Sequence, residues 1–191
     1  TLFAAPPEKD MEWSEQGVEG CSRFLHRVYR LVAKHAERLR GVESSASAIE
    51  LGRATEKERA LLRKAHQTVR RVTHDLDIRW HFNVSIALLM ELVNKLQEAE
   101  PLDKEIRVEV AKETFDLLTL MLAPFAPHLA EELWEMLGHA RGLGKVRWPA
   151  YNEELAREEQ HEVVIQVNGR VRGRLLIEDG MPEDELVERA V

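Results

Sequence analysis

"TEKERALLRKAHQTVRRVTHDL", residues 55–76, carries the architecture of this chain. Thr55 followed by Glu58 is a T-x-x-E capping box, in which each side chain satisfies the other residue's orphan backbone N–H. A helix therefore starts here. Leu61, Ala65, Val69, Val72 and Leu76 then recur at intervals of three or four, the helical period. At about 100° per residue, Arg59, Arg63, His66, Arg70 and His74 fall on the opposite side of the wheel. The spacing predicts one face packed into a core and another presenting cations.

Other helices flank it. Upstream, Ser14 is the expected N-cap of a helix running to about Arg40, with Val18, Cys21, Leu25, Val28 and Val32 inside. Gly41 and "VESSASAIELG" read as a loop. Downstream of "DIRWHFN", a third helix buries Ile86, Leu89, Met90, Val93 and Leu96. Pro101 and Asp103 punctuate, and a fourth helix runs to about Leu122 with Ile106, Val110, Leu117, Leu118 and Met121 inside. Pro124 stops it. Pro127 suits the first position of a short fifth helix, and Gly138 its exit. The expected fold is mainly α, an antiparallel helical bundle joined by short loops.

The character changes near the end. "VVIQV" (163–167) and "VRGRLLI" (171–177) flank Asn168-Gly169, the pair a type I′ hairpin turn favours. "MPEDELVERAV" then opens another helix at Pro182. A lone hairpin is marginal in water, so this segment reads as the start of a small α+β domain. The expected division is 1–152 for the bundle and 153–191 for a truncated α+β segment. The chain reads as cut at both ends.

Of the 191 residues, 44% are hydrophobic and 32% charged, the balance of a globular protein. The longest apolar run, "LLTLMLAPFAP", is broken by Pro124 and Pro127, short of the roughly 18–20 residues of a membrane span. The first residues lack the pattern of a secretory leader. The lone Cys21 excludes an internal disulfide framework and a cysteine-built zinc site. A cytoplasmic protein without a membrane partner is expected. Net charge is −7, yet between Arg53 and His81 eight Lys and Arg face four Asp and Glu, a local +4. Global acidity with a basic island is compatible with a polyanion bound at one face.

Catalytic patterns are missing. "GHARGLGK" lacks phosphate-loop spacing, and Val146 stands where a magnesium-binding hydroxyl belongs. Glu158 and His161 give one E-x-x-H where di-iron bundles need paired copies. His128 and Glu132 share a helix face without a second histidine. No catalytic residue and no metal site are expected. The basic features have two readings: Arg59, Arg63 and Arg70 form either a solvated face or a row of phosphate contacts. Arg79, Trp80 and His81 either seal a helix junction or reach nucleic acid. Arg170, Arg172 and Arg174, spaced by two, are expected on one face of the hairpin, opposite Val171 and Leu175.

The order "LFAAPPEKDMEW", "HQTVRRVTHDLD", "FNVSIALLMELVNKL", "LLAPFAPHLAEELWEMLG" and "VIQVNGRVRGRL" resembles the C-terminal region of bacterial-type leucyl-tRNA synthetases. The resemblance covers essentially the whole chain. "LAPFAPHLAEELW" and "FN-x-x-I" resemble motifs shared with valyl, isoleucyl and methionyl relatives, whereas "QVNGRVRG" with "LFAAPPEKDMEW" points to leucine. The family often has lysine at Arg170. The resemblance implies a class I synthetase anticodon-binding-type bundle followed by the start of the leucyl enzyme's C-terminal domain. Arg63, His66, Arg70 and Arg71 would then meet tRNA backbone phosphates, with the hairpin a weaker contact. It implies tRNA(Leu) as partner, together with the catalytic and editing domains of the same parent chain. ATP and Mg2+ belong to that parent and no cofactor to this fragment, since no H-I-G-H-like or K-M-S-K-S-like string occurs. The fragment is expected to position tRNA without charging it. The alternatives are a helical protein–protein interaction module and the matching fragment of a valyl- or isoleucyl-type enzyme.

Overall fold

The computed structural model describes residues 15–43, 51–157, 160–167 and 170–178, with backbone only for both strands and for Leu51 and Arg79. Helix α2 spans Glu56–His74 and begins as its sequence demands. Thr55 Oγ1 accepts from Glu58 N, and Glu58 Oε2 accepts from Thr55 N at 2.9 Å. The other helices of the first compact unit are α1 (Glu15–Leu39), α3 (Phe82–Glu98), α4 (Leu102–Glu105), α5 (Val108–Leu122), α6 (Pro127–Met136) and α7 (Glu153–Ala156).

Helix α5 is the axis of this unit. It packs against α1, α2, α3 and α6, and every residue from Val110 to Thr119 is buried. The expected fourth helix is thus divided. Ile106 leaves α4 in an extended conformation, and α5 restarts at Val108. Long-range polar contacts fix the ends. Glu58 Oε1 accepts from Arg107 N at 2.7 Å and Nε at 3.0 Å, tying the start of α2 to the start of α5. Burial alone pushes the Glu58 carboxyl up. Hydrogen bonds from the Arg107 and Thr55 backbones and from the Arg107 side chain outweigh that and hold it below its usual value. Arg38, near the end of α1, donates to the carbonyls of Leu102 and Ile106. Glu100 gathers His35 Nε2, Lys34 Nζ and Leu102 N, and the Glu100–Pro101 peptide is cis.

One end of the bundle therefore holds the start of α2 and the starts of α4 and α5. The opposite end holds the end of α2 and the start of α3, where Phe82 meets Phe125 just past α5. Gly138 terminates α6 at φ +95, and a Cβ there would come within 3.2 Å of the Arg40 backbone, so glycine admits the end of α1.

Several expectations need correction. Val18 is 48% exposed and Cys21 half-buried, because the inner face of α1 runs through Phe24, Val28, Leu31, Val32, His35 and Leu39 instead. Met90 is only partly buried. Helix α7 was not foreseen: it packs on α2 and buries Leu155 and Ala156, and the first unit extends to Ala156.

In the second unit, β1 (Gln160–Val167) pairs antiparallel with β2 (Arg170–Glu178). The register shifts between Ile165 and Gln166: Ile165 faces Gly173, and Gln166 faces Val171. One extra residue of β2, Arg172, stands between those pairs. Strict two-residue alternation therefore does not run through from Arg170 to Arg174 on the backbone. Ser14, the Asn168-Gly169 turn and the helix expected at Pro182 lie outside the described residues, as do the side chains of Arg170, Arg172 and Arg174.

Candidate nucleic-acid interface

The cationic row along α2 is not uniform. Near its start the chain uses its own cations. Lys57 pairs with Glu105 and Lys64 with Glu91, both at 2.6 Å. Arg59 turns back and donates through Nε and Nη2 to the Ala54 carbonyl, at 3.0 and 2.8 Å. Arg59 therefore ties down the residue before the N-cap of its own helix rather than projecting along the row. Arg63 is half-buried beside Lys64 and Glu91.

His66 is a correction of a different kind. The wheel placed it among exposed cations, but it is 1% exposed. Helix α2 is covered by α3, α5 and α7, so its apolar stripe is not its only buried face. His66 Nδ1 accepts from Asn152 N at 3.2 Å, holding the 146–152 segment against α2. Burial pushes its imidazole down from 6.5 to about 4. At neutral pH the ring is uncharged, so its 3.9 Å approach to Glu113 is not an ion pair.

A test by pH follows. Unfolded, His66 takes up its proton near 6.5; folded, it does so only near 4. Its stabilising contribution is complete above the first value and is lost as pH falls toward the second. A shift of this size corresponds to about 3 kcal/mol. Glu58 and Glu100, whose carboxyls are held below 4.5, lose their contributions only at lower pH. Denaturant unfolding at pH 7 and pH 5 should show a drop that His66→Gln flattens. An unchanged drop in the variant would refute the assignment.

The far end of α2 differs. Arg71 and His74 are exposed and Arg70 half-exposed, and among the described residues no carboxylate lies at ion-pair distance from any of them. Past His74 the helix widens into a π-turn over Asp75–Arg79, in which Trp80 N and His81 N both donate to the Asp75 carbonyl. Such turns recur at functional sites. The turn exits through Trp80 at φ 55, ψ 30, a left-handed conformation unfavourable for an L-residue by roughly 1–2 kcal/mol. Trp80 is 61% exposed and Ile78 66%. Phe82 meets Trp80 edge-on, with ring centroids 6.1 Å apart, and Phe125 meets Phe82 in the same way at 6.5 Å.

Arg70, Arg71, His74, Ile78 and Tyr151 line an open groove of about 520 Å³ at this end, together with the carboxylates of Asp75 and Asp77. The segment carrying Tyr151 is pinned by Trp148, whose Nε1 donates to Thr73 Oγ1 at 2.8 Å. The structure thus brings together Arg70 and Arg71 from the expected set, in a groove that reaches Ile78, two residues before Trp80, and separates Arg59 and His66 from them. Arg79 lies in the π-turn, its side chain outside the described residues. Tyr151 and Trp148 were missed, since nothing local links them to residues about eighty positions earlier. Ile78 carried one signal, an apolar residue on an otherwise charged turn. Among the described residues no group of His, Cys, Asp and Glu could hold a metal ion, and no helix is long and apolar enough to cross a membrane.

Residues 58–187, which include the end of α2 and the π-turn, match the family described as the anticodon-binding domain of tRNA ligase. The chain belongs to that family. Leucine–tRNA ligase from Geotalea daltonii is 42% identical over 186 residues, and that from Syntrophus aciditrophicus 44% over 188. Each alignment covers 97% of this chain but 22% of the relative, so the chain spans about a fifth of the length of the curated relatives it matches. Among solved structures, LeuRS from Agrobacterium radiobacter K84 superposes with a TM-score of 0.79 at 31% identity, covering 98% of this chain and 24% of that one. That LeuRS was crystallised as a ternary complex with tRNA and LeuAMS. The comparisons agree with the mainly helical architecture of this anticodon-binding domain.

Proposed function

We propose that this chain is the tRNA-holding part of a leucine–tRNA ligase. It carries the helical anticodon-binding domain, expected over 1–152 and running on through α7 to Ala156, and the start of a small α+β domain built on β1 and β2. The observation that supports this most is the end of α2, where Arg70 and Arg71 line one groove and, among the described residues, neither forms a direct ion pair with the Asp75 or Asp77 carboxylates that share it. Arginine suits phosphate oxygens through its fixed fork of donors, and a cationic helix end suits the backbone of an A-form stem whose base edges are hidden. Arg63, about two turns earlier on α2, and Arg79 in the π-turn are further phosphate contacts in this reading, with Arg170, Arg172 and Arg174 as weaker ones.

The role is positional. The partners are tRNA(Leu) and the catalytic and editing domains of the same parent enzyme, which acts in the cytoplasm. Contacts remote from the chemistry supply binding energy that orients the reacting end, and a misplacement of about 1 Å can lower the rate roughly 100-fold. ATP and Mg2+ belong to the parent's catalytic domain. Among the described residues no group of His, Cys, Asp and Glu could hold the metal ion, and no step of that chemistry is assigned to this chain.

The test is a gel-shift titration of the chain with tRNA(Leu), and with duplex DNA of equal length, across a salt series. Binding to tRNA should be preferred and should weaken as salt rises, because phosphate contacts release counterions. Equal binding to both, or binding indifferent to salt, would refute the proposal.

A further inference from the structure

We infer that Trp80 is a stacking platform for one unpaired base of the bound RNA, with Arg70, Arg71 and His74 set to engage the adjoining backbone. This inference deepens the tRNA-holding role and rests on it.

Trp80 combines features that packing alone leaves unexplained. Its side chain is 61% exposed, and its neighbour Ile78 is equally bare. Its backbone is left-handed, a conformation sustained here by the double donation of Trp80 N and His81 N to Asp75 O. A flexible surface tryptophan needs no such device. The indole is also braced: Phe82 meets it edge-on, and Phe125 braces Phe82 from the end of α5. This aromatic row runs outward from the bundle and holds the last ring in one attitude. Little rotamer freedom is left to lose when a ligand stacks on it.

The chemistry of the surroundings selects the occupant. A flat aromatic face accepts any base, because every base has a π-face, and stacking combines with cationic tracking of the backbone. The groove lined by Ile78, two residues before Trp80, supplies Arg70, Arg71 and His74, three basic side chains against the carboxylates of Asp75 and Asp77. An apolar protein segment would satisfy Ile78 and Trp80 but leave the arginines desolvated beside it. Paired bases of an A-form stem cannot reach the indole, so the ligand is a nucleotide in a loop, bulge or junction.

The experiment titrates the full chain by fluorescence anisotropy against labelled tRNA(Leu) and against a fully paired RNA duplex. Trp80→Leu should weaken tRNA binding about tenfold and leave duplex binding nearly unchanged, with Trp80→Phe retaining most of the affinity. An unchanged melting temperature shows that the bundle is intact. Should Trp80→Leu bind tRNA as tightly as the parent, or lose tRNA and duplex equally, the platform is refuted. Loss of binding in Arg70→Glu/Arg71→Glu, with none in Trp80→Leu, would leave the tRNA-holding role standing and remove this inference alone. A parent chain that binds neither RNA would remove both.

Discussion

Replacing Arg70 and Arg71 together by glutamate is expected to lower tRNA affinity roughly 100-fold at about 0.1 M salt, while helicity and melting temperature stay those of the parent. A charge-assisted hydrogen bond contributes about 1.5–3 kcal/mol, and two are lost at once. The salt dependence should also flatten by nearly one unit of slope per phosphate contact removed. Bulk charge does not account for such an effect, and an internal control shows why. Lys57→Glu with Lys64→Glu makes the same change in net charge on the same helix. Those lysines already pair with Glu105 and Glu91, so they have little to offer a phosphate. Their reversal should weaken tRNA binding only a few-fold, and the like-charge contacts it creates with Glu105 and Glu91 should lower stability by about 1 kcal/mol each. Filter binding of both double variants from 50 to 300 mM salt distinguishes the cases. Equal losses would mean that tRNA senses the protein's overall field and not the end of α2.

The largest effect on stability is expected at Lys112. It is 1% exposed, and its Nζ sits 2.9 Å from Asp116 Oδ1, 2.9 Å from the Leu137 carbonyl and 2.7 Å from His139 Nε2. His139 Nε2 lies 2.8 Å from the same Asp116 oxygen, and its ring stacks on Trp134 at 3.6 Å. This cluster joins α5 to the end of α6. Lys112→Ala leaves the buried Leu137 carbonyl without its donor and the buried Asp116 carboxylate with His139 alone beside it, a change that costs about 3–5 kcal/mol. For a chain of this size that is a fall in melting temperature of roughly 10 °C. Lys112→Met combined with Asp116→Leu should recover much of the loss, because apolar replacement of a buried pair is often neutral. Thermal unfolding by circular dichroism measures both. A fall of only a degree or two for Lys112→Ala would mean that solvent reaches this site.

These two experiments probe features of unequal legibility. Several local devices were readable: the Thr55–Glu58 capping box, Pro127 at the start of α6, Gly138 at its exit and the stop before Pro124. Each is a bond or a steric limit among residues a few positions apart, so the chain carries it wherever it goes. The bundle followed from them, because apolar stripes of that spacing have to be buried against one another.

Burial of polar side chains was another matter. Lys112, Glu113 and Asp116 on α5 look like a solvated face, and His66 looks like one more surface cation. All four are buried, because α5 is surrounded by four helices and α2 by three. A wheel assigns one wet side to each helix, and the axis of a bundle has none. The functional end was half legible in the same sense. Arginines on one side of α2 were plain in the residues, and so was a tryptophan at the helix junction. Which cations remain available depended largely on partners far away in the chain, Glu105 for Lys57 and Glu91 for Lys64, while Arg59 is taken by the Ala54 carbonyl five residues back. Local order in this protein is written in neighbouring residues. Availability to a ligand is the remainder after distant side chains have claimed their partners, and only the folded chain sets those distances.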